Sequence, residues 1–416
     1  MKYLMNISGA IPHAGIENIN IPLNGRNLII TGKNGSGKTS FLDKLFETLN
    51  TDLDSLNDNK QQYKSHISHW KSEIERLGPS NPQAQNLIHT IKEYEEKLRV
   101  LESGFNIETI RFEEFKNKYK EYKAIFRKFD AMRDIHIQES TQTTLSTIEI
   151  EKARTSFRSN IGNRLEQHLV NLKTSEAFAK GIEQDHIKGK KFENWFHNFE
   201  ISLKKLFENE DTLLIFKNED RKFEIYNGKN HTTFQNLSSG YKAIFDIFAD
   251  LLLRTEFFDI TPSDLEGIVI IDEIDAHLHI SLQKLILPFF SESFKNIQFI
   301  VSTHSPFVIT STDDDTVVYD ISSGAFFEDD LSRYSYEAVI KGLFHVNPIS
   351  SEINESIETL KDLLNERSIN YDNIRSIVKD LIQLERNGLL DKKLKNLYLQ
   401  AINLLADHNQ LEDLDV

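Results

Sequence analysis

The ten residues TGKNGSGKTS, positions 31 to 40, limit what this chain can fold into more than any other stretch. Gly32, Gly37, Lys38 and Thr39 meet the spacing G-x-x-x-x-G-K-[ST], with a further glycine at 35. Glycines let backbone N–H groups curl round an anion where a side chain would block the approach. Such a loop works between a buried strand and a helix N-terminus, whose positive dipole end favours phosphate. The flanks comply. Asn27 to Thr31, NLIIT, reads as a buried strand, and Thr39 to Phe46 as an amphipathic helix. The expected phosphate-binding set is Gly32, Asn34, Gly35, Ser36, Gly37, Lys38, Thr39 and Ser40. Lys38 would reach the outer phosphates and Thr39 would offer its hydroxyl to Mg²⁺.

The matching half of such a site lies far along the chain. Positions 267 to 275 read GIVIIDEID, a β-branched run typical of a central parallel strand. It delivers Asp272 and Glu273 to the strand's C-terminal end, where open α/β sheets bind ligands. Asp272 would hold Mg²⁺ through water, and Glu273 would polarise the attacking water. A further buried strand, Ile297 to Ser302, ends at Thr303-His304-Ser305-Pro306. His304 would sense a γ-phosphate; the competing reading is a structural histidine. Before both strands, Asn236 to Lys242 reads NLSSGYK and opens a helix from Ala243 to Arg254. Ser238, Ser239 and Gly240 make a second anion cradle. One chain does not need two cradles for one triphosphate, whereas two chains facing head to tail do.

In order, GKNGSGKTS, LSSGYKA, IVIIDEIDAHLH and VSTHSP resemble the motifs of ABC-type ATPases of the SMC-, RecF- and OLD-like branch. The resemblance covers about residues 1–50 and 230–320. It implies an α/β P-loop NTPase head, with ATP and Mg²⁺ as its ligands. Ser239 and Gly240 match the signature that contacts phosphate across a dimer. Asp272 and Glu273 match the Walker B pair, and His304 the switch histidine. Two departures stand out. His279 takes the place of the aspartate that SMC-type heads carry after Walker B, and DEIDAHLH is similar to OLD-like proteins instead. His277 and His279 read as a dimer-contact loop or as metal ligands. The glutamine loop is not apparent, with Gln138, after KAIFRKFDAMRDIHIQ, its one candidate.

The gap between the motifs has its own pattern. Tyr63, Ile67, Trp70, Ile74 and Leu77 step by 4, 3, 4, 3, and Leu87, Ile91, Tyr94, Leu98 and Leu101 repeat the steps after GPSNP. That is the a/d seam of two helices joined by a tight turn, each arm about 30 Å long. The expected organisation is a split ABC ATPase head at 1–50 and 230–325 and a short antiparallel coiled-coil hairpin at 53–104. A mixed α/β and helical lobe at 105–229 and a C-terminal helical region at 330–416 complete it. Within the lobe, FNIETIRF and TLLIFKNEDRKFEIYNG read as strands and Arg154–Asn171 as a helix. In the tail, Ser350–Ser368, Asn370–Asn387 and Asp391–His408 show helical spacing. That tail resembles those of the Septu and PARIS ATPases of bacterial anti-phage systems.

The absence of cysteine excludes disulfides and thiol chemistry and fits a reducing cytoplasm. No apolar run approaches a membrane span. A net charge of −15 argues against a protein that coats nucleic acid over its whole surface. A local basic segment runs from Arg111 to Arg133, read either as a solvated helix face or as a DNA contact. Asp313-Asp314-Asp315, a candidate metal cluster, reads instead as a polar turn before the strand Thr316–Tyr319, and neither a Toprim nor a His-Asn-His nuclease pattern follows the head.

These readings converge on an ATPase that dimerises around ATP, as a homodimer or higher even homo-oligomer. The resemblance implies a sensor or scaffold that regulates a separate nuclease effector in anti-phage defence, with DNA or a phage component as a further candidate partner. The alternative is a RecF- or SMC-like repair ATPase that binds DNA across its dimer; a transporter ATPase fits less well.

Overall fold

A computed structural model describes residues 2–53, 56–78, 81–102, 104–133, 137–140, 160–343, 351–365, 370–386 and 392–411. The chain divides into two compact units, Met1–Val339 and Ile340–Val416.

In the first unit the strands are β1 (Leu4–Ile11), β2 (Ile16–Pro22), β3 (Asn27–Thr31), β4 (Asn106–Thr109), β5 (Ala124–Phe129), β6 (Thr212–Lys217), β7 (Lys222–Asn227), β8 (His231–Thr233), β9 (Glu266–Ile271), β10 (Ile297–Ser302), β11 (Thr316–Asp320) and β12 (Ala325–Phe327). The central sheet has the order β12-β11-β3-β10-β9-β5. All its pairs are parallel except β11 with β12. β5 lies outside both spans expected for the head, yet it forms an edge of this sheet. Two antiparallel three-stranded sheets, β2-β1-β4 and β6-β7-β8, accompany it.

The helices of this unit are α1 (Lys38–Leu53), α2 (Leu56–Leu77), α3 (Pro82–Glu102), α4 (Phe112–Lys120), α5 (Leu165–Gly181), α6 (His186–Leu206), α7 (Ser239–Phe257), α8 (Ile280–Ser293) and the single turn α9 (Pro306–Ile309). One core joins Ile7 and Ile19 of the small sheet, Phe41, Leu42 and Leu45 of α1, and Leu28, Ile30, Ile268, Ile270 and Ile300 of the central sheet. The alternation is that of a pleated strand: Leu28 and Ile30 face this core, while Ile29 points to the other side. Each fully buried side chain of this size stabilises by about 1.5–3 kcal/mol, so α1 is clamped between two sheets. The loop before α1 is thereby fixed in place.

α2 and α3 pack side by side. Ile67 and Ile91 are buried, the Trp70 and Tyr94 rings meet edge-on at 4.9 Å, and Lys71 pairs with Glu95 at 2.7 Å. Several expectations shift. The strand expected over FNIETIRF is confined to β4, because α4 starts at Phe112. The helix expected at Arg154–Asn171 begins only at Leu165 and runs on to Gly181; residues 154–159 lie outside those described. The basic segment 111–133 is no single helix face: it is split into α4 and β5. The helix expected from Ala243 starts four residues earlier, at Ser239, inside the serine-glycine motif.

The second unit contains α10 (Ser351–Asn365), α11 (Tyr371–Arg386) and α12 (Lys392–Asp407), packed around Leu360, Ile374, Val378, Leu394, Ala401 and Leu405. Among the described residues no helix is long and apolar enough to cross a membrane.

Candidate nucleotide-binding site

The loop from Gly32 to Gly37 leaves β3 at its C-terminal end and enters α1 at Lys38. Gly32, Gly35 and Gly37 all have positive φ, at 141°, 75° and 95°. A Cβ on Gly32 would lie 2.6 Å from Ser322 Oγ and 2.9 Å from Ser36 Oγ, so the position has no room for a side chain. Ser322, in the turn between β11 and β12, accepts a hydrogen bond from Lys33 N at 2.7 Å. Asp320 in turn accepts from Ser322 N at 2.9 Å. The loop is thus braced from a neighbouring strand nearly three hundred positions away in sequence. Lys38 Nζ donates to the loop's own carbonyls, Gly32 O at 3.2 Å and Lys33 O at 3.1 Å. Burial lowers its pKa, while Glu273, Asp272, Asp275 and Asp320 act in the opposite direction.

β9 and β10 end beside this loop. Asp272, 3% exposed, accepts from Thr39 Oγ1 at 2.8 Å through Oδ2 and from Ser302 Oγ at 2.5 Å through Oδ1. Thr39 and Asp272 are 233 positions apart, so the sheet order is what joins the two motifs. The same Ser302 Oγ accepts from Glu273 N at 2.7 Å. Glu273 has φ 45°, in the left-handed region, which costs a non-glycine residue about 1–2 kcal/mol. Its carbonyl and that of Asp272 accept from Arg133 Nη2, at 3.1 and 2.8 Å. Thr303 Oγ1 donates to Asp275 at 2.5 Å, and Ser305 Oγ bonds Gln283 Oε1 at 2.7 Å. These bonds order the loop that carries His304. Burial, followed by the Lys38 charge, lowers the His304 pKa, while Asp275, Glu273 and Asp272 act in the opposite direction.

The structure therefore gathers Lys38, Thr39, Asp272, Glu273 and His304 in one place. It does not bring Ser238, Ser239 and Gly240 there. Ser238 and Ser239 are exposed at the start of α7, and no hydrogen bond among the described residues joins them to 32–40. Gly240 is buried instead against His277 O, 3.0 Å from where its Cβ would be. Gln138 is exposed, with its backbone N held by Asn163 O at 2.8 Å. His279 caps α8 by accepting from Ser281 N. Among the described residues no group of three His, Cys, Asp or Glu side chains could hold a metal, so His277 and His279 find no third ligand there.

Sequence reasoning missed Arg133, Ser302 and Ser322. Ser302 lies inside VSTHSP, the motif that supplies His304. Arg133 and Ser322 carry no local signal.

A glycine cradle, a buried lysine and an acidic strand end on a parallel sheet define a P-loop nucleotide-binding protein. More particularly, a family profile described as "AAA domain, putative AbiEii toxin, Type IV TA system" matches residues 28–310, and the chain belongs to that family. Similar proteins include "Retron Ec83 probable ATPase" of Escherichia coli, 31% identical over 211 residues, or 47% of this chain and 38% of that one. "Retron Vc95 probable ATPase" of Vibrio cholerae serotype O1 biovar El Tor is 29% identical over 52% of this chain and 40% of its own length. "Septu protein PtuA" of Bacillus mycoides (strain KBAB4) is 34% identical over 27% of this chain and 15% of its own. The chain thus spans well under half the length of the relatives it matches. The likeness to a Septu protein agrees with the sequence reading; the retron relatives are an addition to it. Among solved structures, the SMC head bound to the C-winged helix domain of ScpA aligns over 78% of this chain and 97% of its own, at 15% identity and a TM-score of 0.36. A nucleotide-free ATP-binding cassette from an ABC transporter aligns at 12% identity, over 78% of this chain and 88% of its own, with a TM-score of 0.30. Both scores are low and add nothing to the strand order.

Proposed function

We propose that this chain is an ATP-switched sensor or scaffold, closing head to tail with a second copy around ATP and controlling a separate nuclease effector in anti-phage defence. The observation that carries the ATP-switch part is the continuous network Thr39–Asp272–Ser302–Glu273 beside the Lys38 loop.

The cradle fits a phosphate chain. Ser36 Oγ is buried with no hydrogen-bond partner among the described residues, a donor in want of an acceptor. Lys38, now bonded to loop carbonyls, would turn to the outer phosphates. Thr39 Oγ1 and Asp272 Oδ2 are two hard oxygens side by side, the donor type Mg²⁺ takes. Bound there, Mg²⁺ would neutralise charge on the phosphates. Glu273 would orient the attacking water. The His304 imidazole would donate a hydrogen bond to the γ-phosphate. The exposed Ser238 and Ser239, with Gly240, would contact the phosphates of the opposite chain, because they do not reach the loop of their own.

The defence role and the effector rest on the retron and Septu relatives. The rival reading, DNA binding near 111–133, is weakened by how that segment spends its charge. Arg127 is buried on Asp250, Lys118 pairs with Glu114 and Glu266, Lys128 with Asp43, and Lys123 with Glu121. Arg111 lies 4.0 Å from Glu114, and Arg133 is spent on backbone carbonyls; among the described residues Lys116 and Lys120 show neither kind of partner. Glu273→Gln decides the central claim: it lowers hydrolysis by about 10²-fold or more and accumulates an ATP-dependent dimer in light scattering. An unchanged hydrolysis rate rejects the role of Glu273. Native mass measurement of the protein co-expressed with its flanking genes tests the effector: a second chain in fixed ratio is expected, and a lone dimer counts against it.

A further inference from the structure

We infer that Arg133 is the positioning residue of the hydrolytic centre: its guanidinium holds the backbone on which Glu273 is mounted, and so sets where the Glu273 carboxylate points. The inference rests on the reading of Glu273 as the water-orienting group.

Glu273 occupies a left-handed conformation that nothing in its own side chain favours. Bonds on both sides hold it there. Its N–H is fixed by Ser302 Oγ at 2.7 Å, and the following N–H, of Ile274, by Ser302 O at 3.0 Å. Its carbonyl and the preceding one are both taken by Arg133 Nη2. Ser302 belongs to β10, so one side of the clamp comes from inside the sheet. Arg133 follows β5 at the sheet edge, so the other side comes from outside it.

The arginine is itself held. Its Nε donates to Asp130 O at 3.0 Å, which fixes the plane of the fork. Burial lowers its pKa, opposed by the charges of Asp246, Asp272, Asp275 and Glu273. A guanidinium suits this task, since it is always charged and offers several donors in a fixed plane. Without it two carbonyls at the head of the acidic loop lose their donor, and the peptides on either side of Glu273 keep only their N–H bonds to Ser302. Asp272 keeps its side-chain bonds to Thr39 and Ser302 in that event, so phosphate and metal binding stay intact while the carboxylate of Glu273 is misdirected.

The test compares Arg133→Met, Arg133→Lys and Glu273→Gln in the full chain. The readouts are kcat and KM for ATP, together with the affinity for a fluorescent ATP analogue. Arg133→Met is expected to lower kcat by about 10²-fold with KM and nucleotide affinity unchanged, the loss typical of a misplaced group. Arg133→Lys can still reach the carbonyls but loses the Asp130 brace, so it recovers part of that loss, to about tenfold below the parent. If Arg133→Met is insoluble, Arg133→Lys decides alone: reduced kcat at constant KM supports the inference and unchanged kcat overturns it. Parallel loss of nucleotide affinity and kcat in either variant also overturns it, because that is the mark of a merely structural arginine. Glu273→Gln separates the two failures. If it hydrolyses normally, the reading of Glu273 is wrong. If it is inactive while Arg133→Met retains parental kcat, only the positioning is wrong.

Discussion

Asp246 and Asp250 sit one turn apart on α7, and their surroundings act on them in opposite directions. Asp250 is fully buried and accepts from Arg127 Nε, Arg254 Nε, Arg254 Nη2 and Ile161 N at 2.8–3.1 Å, which holds its pKa down despite the burial. Asp246 receives one neutral bond, from Asn160 Nδ2 at 2.7 Å, while Arg133 and Arg127 act on it from further away. Burial therefore dominates, with the Asp250 charge adding to it, and pushes its pKa from 3.8 to about 6. The sign follows from proton counting. Between pH 3.8 and 6 the folded state binds more protons at Asp246 than the unfolded state, so its contribution to stability falls as pH rises through that window. Above it, the folded state carries the ionised carboxylate at a cost of about 3 kcal/mol, from roughly 2.2 pH units at 1.36 kcal/mol each. Asp246→Asn mimics the protonated form and can still accept from Asn160. It should stabilise the protein by about 3 kcal/mol at pH 8, and by about 1.4 kcal/mol less at pH 5. Urea unfolding of variant and parent at both pH values isolates Asp246, because every other group cancels in the difference. A variant less stable than the parent at pH 8, or a gain that does not change with pH, refutes the reasoning.

Two further substitutions probe the frame around the site. Asp250→Ala takes the shared carboxylate from two buried arginines and should destabilise by about 3–5 kcal/mol, read as a lower urea midpoint at unchanged slope. The variant should also lose more than Asp246→Asn gains. Gly32→Ala and Gly35→Ala both place a Cβ at positive φ, but only the first meets neighbours. Without nucleotide, Gly35→Ala should cost about 1 kcal/mol of strain and Gly32→Ala about 1–3 kcal/mol more from overpacking; equal costs would show that Ser322 yields freely.

Parts of this molecule are legible because their information is local. The glycine spacing at 32–37 needs nothing from the rest of the chain to be recognised, and IVII before Asp272 announces a buried strand by composition alone. The stepped apolar residues at 63–77 and 87–101 carry a helical period in the same way. Other parts are illegible for a physical reason. Arg133 acts on backbone carbonyls 139 and 140 positions away, and every residue has a carbonyl, so no side-chain pattern marks the partner. Ser322 braces Lys33 through a backbone N–H, with the same result. The segment 111–133 misleads because a count of charges ignores partners: Arg127 looks like surface charge, yet it is 5% exposed against an acid on another element.

The sheet order has a consequence during synthesis. β3 leaves the ribosome well before its neighbours, β10 and β11, and Leu28 pairs with Ile300. At about 5–20 residues per second, some 270 residues separate the two by roughly 15–55 s. Throughout that interval the apolar segment NLIIT has no native strand to pair with, and the glycine loop has neither Asp272 nor Ser302 beside it. Nucleotide can therefore reward folding only after Ser302 has been made. A nascent chain of this kind depends on something else, its own small β1-β2 hairpin or a chaperone, to keep β3 from pairing wrongly until β10 arrives.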